Sequence, residues 1–176
     1  GGVLRLHGMS DSPYSLRAIG LALAGQDYLV RGLRMPGHGT APSGLLSVTW
    51  EDMAAATRIG MAHLGEQLDG RPLHMIGYST GAALALDYAL TAMAAQGTEA
   101  VVAAQVPASL VLVSPAIGIT PAAAATPWLV RLSRVPGLEQ VAWTTLLPEF
   151  DPFNYNAFSA NASLQVHRMT RSTTAR

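Results

Sequence analysis

Short apolar segments alternate with longer segments of helical periodicity up to Ser114, and this alternation restricts the possible folds more than any other feature. The predicted strands are residues 3–6, 28–33, 72–77 and 110–114. The predicted helices between them are residues 14–26, 50–69 and 79–95, and Thr49 is predicted to cap the second of them. Strands connected by helices form parallel sheets, with right-handed crossovers that place helices on both faces. The sequence therefore predicts an α/β fold with a parallel, doubly wound sheet.

The alternation stops after Ser114. Residues 117–150 contain four prolines, which interrupt helices, and the only regular pieces predicted there are helical, at 128–132 and 138–146. No further strand is expected. This composition indicates a helical cap inserted into the sheet domain.

The last part of the chain has helical periodicity over residues 157–169, while residues 170–176 carry no core signal. We therefore divide the chain into a partial core at 1–116, a cap segment at 117–156, and a returning helix with a tail at 157–176.

Composition excludes several classes of protein. The chain has 176 residues with a net charge of +0, so it lacks the basic excess that nucleic-acid binding requires. It has no cysteine, which excludes a disulfide framework, a zinc ribbon and a thiol nucleophile but leaves the compartment open. Residues 100–130 are free of charge, yet four prolines would break a membrane-spanning helix there, so no transmembrane segment is predicted.

The motif Gly77-Tyr78-Ser79-Thr80-Gly81 matches G-x-S-x-G at the junction of a predicted strand and a predicted helix. A serine on such a tight turn has a strained backbone and projects its hydroxyl from the edge of the sheet. The two glycines leave room for the neighbouring strand and helix. The N-terminus of the following helix favours a negative charge that develops beside the serine.

Three motifs in order give the chain a family resemblance. They are His7-Gly8-Met9 after the first strand, Pro36-Gly37-His38-Gly39 after the second, and the serine motif after the third. With them, the chain resembles serine hydrolases of the α/β-hydrolase fold, in particular the branch of lysophospholipases, monoacylglycerol lipases and serine aminopeptidases. The resemblance covers most of residues 3–170 and implies that the chain is incomplete at both ends.

The resemblance implies hydrolysis of carboxylic esters, lipid-like or small and apolar, through an acyl-enzyme. Ser79 would be the nucleophile, and the backbone N–H groups of Met9 and Thr80 would form the oxyanion hole. His7 would brace the loop. Two alternatives stay open: amide or peptide cleavage by the same machinery, and a non-catalytic relative that only binds a ligand.

The acid and the histidine that would complete a catalytic triad are not evident. In this fold they follow the serine in that order: the acid comes after a later apolar strand, and the histidine lies in a loop near the C-terminus. Asp151 and His167 have the right order, but neither follows a predicted strand, and His167 is expected on a helix surface. We interpret the chain as the middle of a hydrolase whose triad partners lie outside it.

The remaining polar residues suggest structural roles. His38 is expected to hold its glycine turn, Asp11 to shape the loop after His7, and His63 and His74 to pack or face solvent. The histidines and carboxylates lack metal-ligand spacing, and the chain contains neither a phosphate-binding loop nor any lysine to serve one, so no metal and no cofactor is predicted.

Two interpretations of the apolar residues in the cap segment stay open. Their side chains cover Ser79 and bind an acyl chain, or they pack as part of an ordinary hydrophobic core. They are Trp128, Leu129, Val130, Leu132, Val135, Leu138, Val141, Trp143, Leu146 and Leu147. The expected partner is a small ester or a lipid, and the oligomeric state stays open.

Overall fold

A computed structural model describes residues 1–96, 105–117 and 126–174. Four parallel strands form its main sheet, in the spatial order β2-β1-β3-β4. The strands are β1 (Gly2–Leu6), β2 (Leu29–Leu33), β3 (Leu73–Tyr78) and β4 (Ser109–Val113). All four predicted strands are confirmed, and so is the parallel sheet.

The register of the sheet brings the ends of the strands to one edge. Leu6 at the end of β1 lies opposite Leu33 on one side and Gly77 on the other. Tyr78, one residue later on β3, lies opposite Val113 of β4. The loops that follow these strands therefore meet at the carboxyl edge, where ligands bind in open α/β sheets.

Helices follow the first three strands and cover both faces of the sheet. They are α1 (Arg17–Ala24), α2 (Trp50–Glu66) and α3 (Thr80–Ala94). Helix α2 begins with a capping box, in which the Thr49 side chain accepts from the Asp52 N–H and the Asp52 carboxylate accepts from the Thr49 N–H. The predicted cap at Thr49 is therefore confirmed.

Alternation along the strands produces two apolar layers. Leu4, Leu6 and Met75 pack in the larger layer with side chains of α2 and α3. Val3 and Ile76 point to the opposite face, where they pack with Leu16 beside α1. The larger layer contains most of the fully buried side chains.

The segment after β4 differs from its prediction. Helix α4 spans Thr126–Leu132, but the predicted helix at 138–146 is wrong: one 3-10 turn (Glu139–Ala142) is followed by strand β5 (Trp143–Thr145). Strand β5 pairs antiparallel with β6 (Phe158–Ser159), so the expectation of no strand after Ser114 is also wrong. Two- and three-residue strands leave no periodicity that a sequence pattern can reveal.

The last helix, α5 (Ala160–Thr174), packs against the main sheet domain. The Asn161 side-chain amide donates to the carbonyls of Leu45 and Val48, each at 2.9 Å. Thr170 is buried, and its hydroxyl lies 3.1 Å from the Ala116 carbonyl. The prediction that the core excludes residues from 170 onward is thus wrong at Thr170.

The limits of the predicted cap and tail stay predictions. Residues 118–125 of the predicted cap and residues 175–176 of the predicted tail lie outside the described residues. Within the described ranges, the helices are all too short or too polar to cross a membrane.

Candidate active site

Ser79 lies in the turn between β3 and α3, as the sequence predicts. Its backbone has φ 53° and ψ −116°, and residues other than glycine rarely adopt a positive φ of this kind. The turn directly joins Tyr78, the last residue of β3, to Thr80, the first residue of α3. A serine at this point lies at the carboxyl edge of the sheet and beside the N-terminus of a fifteen-residue helix.

The two glycines of the motif make this turn possible. A Cβ atom on Gly77 would overlap the backbone of Ala82, and a Cβ atom on Gly81 would overlap the carbonyl oxygen of Leu6. Backbone atoms cannot move aside as a flexible side chain can. The close approach of β3, α3 and β1 around Ser79 therefore requires glycine at both positions.

Hydrogen bonds on both sides hold the strained serine to the end of β4. The Ser79 N–H donates to the Val113 carbonyl at 3.0 Å, and the Ser79 carbonyl accepts from the Ala116 N–H at 3.1 Å. Ser114, between those two partners, also has a positive φ of 44°. The end of β4 thus helps to impose the conformation of the serine turn.

The loop after β1, residues 8–11, passes directly beside the serine, and we call it the Gly8–Asp11 loop. A Cβ atom on Gly8 would lie 3.3 Å from the Cβ atom of Ser79. The Gly8 N–H donates to the Asp11 carboxylate at 3.1 Å, and the Asp11 N–H donates to the Gly8 carbonyl at 3.2 Å. Burial raises the pKa of Asp11, and the charge of Asp151 adds to that rise. Asp11 therefore shapes the loop, as predicted.

His7 holds the same loop from below. Its ring is buried, Nδ1 donates to the Gly8 carbonyl at 2.8 Å, and Nε2 accepts from the Met35 N–H at 3.2 Å. Burial lowers the pKa of His7 to about 4, so the ring is neutral at pH 7. An acceptor at Nε2 requires that neutral form. His7 thus has the bracing geometry that the resemblance implies.

Two backbone N–H groups at this edge are unused. Within the described ranges, neither the Met9 N–H nor the Thr80 N–H donates to another residue. Both residues line the same cleft as Ser79, with a volume of about 310 Å³. Three residues that the sequence did not suggest form another wall of the cleft, namely Phe158, Ser163 and Val166. They are distant from Ser79 in sequence, so no local signal could have identified them.

None of the histidines in the described ranges pairs with Ser79. His63 is hydrogen-bonded to the Gln67 side chain, and His74 is hydrogen-bonded to the Ser109 hydroxyl; both lie away from the cleft. His167 lies on α5, and its Nδ1 is buried without a hydrogen-bond partner in the described parts of the chain.

The pair Asp151 and His167 is not brought together either. Asp151 accepts from the Phe153 N–H at 2.8 Å in its own turn, and no ion pair or hydrogen bond joins it to His167 in the described ranges. The described histidines and carboxylates also contain no group of three that could hold a metal ion.

His38 holds its glycine turn, as predicted, and it also makes a contact that the sequence did not predict. It is buried, and its Nδ1 lies 2.8 Å from the Pro36 carbonyl, as a turn holder would. Its Nε2 also reaches across to the Met9 carbonyl at 2.7 Å. The G-H-G motif gives a signal for the turn but none for the second contact, which joins residues 29 positions apart.

These features define the α/β-hydrolase fold, and solved structures agree. The chain superposes on a metagenome-derived lipolytic enzyme of the pair LipS and LipT, with TM-score 0.76 and 22% identity over 99% of this chain and 65% of that one. It superposes on the monoacylglycerol lipase of Paleococcus ferrophilus with TM-score 0.69 and 19% identity, over 99% of this chain and 67% of that one. It superposes on the carboxyl esterase of Bacillus coagulans with TM-score 0.64 and 18% identity, over 97% of this chain and 63% of that one. The chain thus spans about two thirds or less of each of these structures.

The sequence profile of the family described as "Serine aminopeptidase, S33" matches residues 1–174. The chain belongs to this family of hydrolases, and the resemblance inferred from the three motifs is confirmed. A search of curated proteins found no match.

Proposed function

We propose that the protein carrying this chain is a serine hydrolase that cleaves carboxylic esters through an acyl-enzyme on Ser79. The observation that carries the proposal is the conformation of Ser79, a non-glycine residue at φ 53° in a strand-to-helix turn. It shares its cleft with the N–H groups of Met9 and Thr80, which have no hydrogen-bond partner in the described part of the chain. Backbone strain of this kind costs about 1–3 kcal/mol and persists where the surrounding structure imposes it, typically at functional sites.

The chemistry assigned to this site is acyl transfer to water. The Ser79 hydroxyl oxygen attacks the ester carbonyl carbon, its proton passes to a base, and the alcohol leaves. The Met9 and Thr80 N–H groups would donate to the oxyanion of the tetrahedral intermediate, an interaction worth about 3–4 kcal/mol per donor. Water then cleaves the acyl-serine ester. No base is assigned within the described residues, since none of their histidines bonds to Ser79.

The lining of the cleft supports an ester with an apolar acyl part. Its walls include Met9, Phe158 and Val166, which are apolar, next to the polar groups of Ser10 and Ser163. Apolar walls with a few placed polar groups are typical of sites for small organic ligands. The solved structures of a lipolytic enzyme, a monoacylglycerol lipase and a carboxyl esterase are consistent with this substrate class.

Amide cleavage is the second candidate, and the description of the matching family as a serine aminopeptidase favours it. Esters and amides pass through the same tetrahedral intermediate, so the same oxyanion donors would serve both. The choice depends on the leaving group, which is an alcohol in one case and an amine in the other. Paired ester and aminoacyl-amide substrates with a common acyl part would distinguish the two.

The test is labelling and turnover in the intact protein that carries this chain. A fluorophosphonate probe should label Ser79, and Ser79→Ala should remove labelling and lower kcat/KM for p-nitrophenyl esters by about 10⁴-fold or more. Ser47→Ala is the matched control, because Ser47 is an exposed serine outside the cleft and the variant should keep both signals.

Two results would contradict the proposal. Undiminished ester turnover in Ser79→Ala would exclude Ser79 as the nucleophile. Absence of labelling and turnover in the wild-type protein, together with retention of an apolar ligand, would support the binding-only alternative instead.

A further inference from the structure

We propose that His38 and Tyr155 are positioning residues that fix the Met9 N–H from outside the Gly8–Asp11 loop. The inference rests on the proposed function, because it concerns one of the two oxyanion donors. Three successive carbonyls of the loop, those of Gly8, Met9 and Ser10, are each hydrogen-bonded to a residue outside the loop: the adjacent His7 for the first, and residues distant in sequence for the other two. The Met9 N–H is left without a partner among them in the described ranges.

The first of these bonds is the one from His7 described above. In a trans peptide the N–H points away from the carbonyl of the same unit. The bond from His7 Nδ1 to the Gly8 carbonyl therefore turns the Met9 N–H of that peptide in the opposite direction.

The second bond comes from His38, which is 4% exposed and approaches the loop from the segment after β2. Its Nε2 lies 2.7 Å from the Met9 carbonyl, while Nδ1 lies 2.8 Å from the Pro36 carbonyl. Carbonyl oxygens only accept, so a ring nitrogen that carries a proton is the donor in each contact. The ring of His7 packs edge-on against His38 at 4.9 Å between centroids.

The third bond comes from Tyr155, which lies between β5 and β6. Its N–H donates to the Ser10 carbonyl at 2.7 Å, and its hydroxyl accepts from the Thr40 N–H at 3.1 Å. The Tyr155 ring also stacks over the His38 ring, with centroids 6.1 Å apart and planes inclined by 16°. Tyr155 thus links the Gly8–Asp11 loop to the glycine turn that carries His38.

The two N–H groups of the proposed oxyanion hole are therefore held in different ways. The Thr80 N–H is fixed by α3, since it belongs to the first turn of a long helix. The Met9 N–H belongs to a loop, and its direction depends on His7, His38 and Tyr155. A displacement of about 1 Å at such a donor costs up to about 100-fold in rate, so the three residues affect turnover without touching substrate.

Two conservative substitutions of His38 separate the bond to Met9 from the bond to Pro36. His38→Gln places an amide N–H near the position of Nε2, and His38→Asn places one near the position of Nδ1. In the intact protein we expect His38→Gln to keep most of the wild-type kcat. We expect His38→Asn to lower kcat about 10- to 100-fold with little change in KM, because ground-state binding does not use the oxyanion donor.

Affinity for a trifluoromethyl ketone is the second readout. This probe forms a tetrahedral adduct with the serine and requires the oxyanion donors, whereas a merely structural role of His38 would not affect it selectively. His38→Asn should weaken its binding by the same factor as it lowers kcat/KM. Thermal unfolding checks that both variants fold. Tyr155→Phe loses the hydroxyl bonds with the Thr40 N–H and the Gly37 carbonyl but keeps the backbone bond to Ser10, so it should have the smallest effect.

The outcomes separate this inference from the proposed function. Equal kcat values for His38→Asn, His38→Gln and the wild-type protein would overturn the positioning role while Ser79→Ala remains inactive. Equal losses in both His38 variants without weaker ketone binding would overturn it as well. Full activity of Ser79→Ala would overturn the proposed function itself.

Discussion

The sheet that holds Ser79 and the segment after β4 bury their apolar side chains to very different extents. In the sheet layer, Leu6 and Met75 have no exposed surface and Leu84 has 1%. In the later segment, Trp128 is 71% exposed and Phe150 is 79% exposed. The chain therefore uses similar apolar residues in two ways, as a packed support and as an open surface.

This difference explains where function can be built. A strained residue such as Ser79 persists only on a support that resists relaxation, and close-packed layers give that resistance. The later segment contributes single contacts to the site, such as the bond from Tyr155 to Ser10. Substitutions in the two regions would test whether their side chains contribute to the free energy of unfolding in proportion to their burial.

Substitution of Gly81 should have the largest effect on stability. In Gly81→Ala, the new Cβ atom would overlap the carbonyls of Leu6 and His7, which are backbone atoms of β1 and its end. We expect a loss of more than about 3 kcal/mol in the free energy of unfolding, measured by urea denaturation of the intact protein. Gly60→Ala in α2 is the control, since a Cβ atom there meets only the side chains of Leu4 and Leu33 at ordinary contact distances and should stabilise by up to about 1 kcal/mol. Equal effects at the two sites would refute the close approach at Gly81.

Truncation of the sheet layer should come next. Met75→Ala removes a fully buried side chain from the centre of β3, and we expect a loss of about 2–5 kcal/mol in the free energy of unfolding. The same urea titration measures it. A loss below about 1 kcal/mol would mean that the layer relaxes around the cavity and is not a rigid support.

Acid should weaken the region around the Gly8–Asp11 loop through His7. Its pKa falls from the usual 6.5 to about 4 on folding because of burial, so the unfolded chain binds the proton more readily between those values. The contribution of His7 is fully present above pH 6.5 and is lost as the pH falls toward 4, by up to about 3 kcal/mol.

Unfolding free energies measured from pH 7 to pH 4 would test the role of His7. The pH dependence should be smaller in His7→Phe than in the wild-type protein. An unchanged pH dependence in His7→Phe would contradict the assignment to His7.

Truncation of the exposed surface should have the smallest effect. Trp128→Ala removes a side chain that already faces solvent, apart from the Arg131 guanidinium 5.7 Å from its ring centroid. We expect a change within about 0.5 kcal/mol. A loss comparable to that of Met75→Ala would show that Trp128 is covered in the intact protein and would remove the contrast between the two regions.

Much of the fold was predictable because its signals are local. The strand-to-helix junction at Ser79 and the cap at Thr49 depend on neighbours within a few residues, and both occur as expected. The prediction was weakest between residues 138 and 159, where β5 and β6 are two to three residues long. Strands of that length form only because the partner strand is present, and they are too short to show a periodicity from which the partner could be predicted.

The candidate site divides in the same way. The sequence determined the strained serine and the glycines around it, because motif spacing and strand order bring those groups to one edge of a parallel sheet. The bracing role of His7 was implied by the family resemblance. Tertiary structure alone decided that His38 would reach Met9, that Tyr155 would reach Ser10, and that α5 would wall the cleft. These contacts join residues far apart in the chain. Their formation depends on how whole elements pack, and packing is a property of the assembled layers rather than of any local pattern.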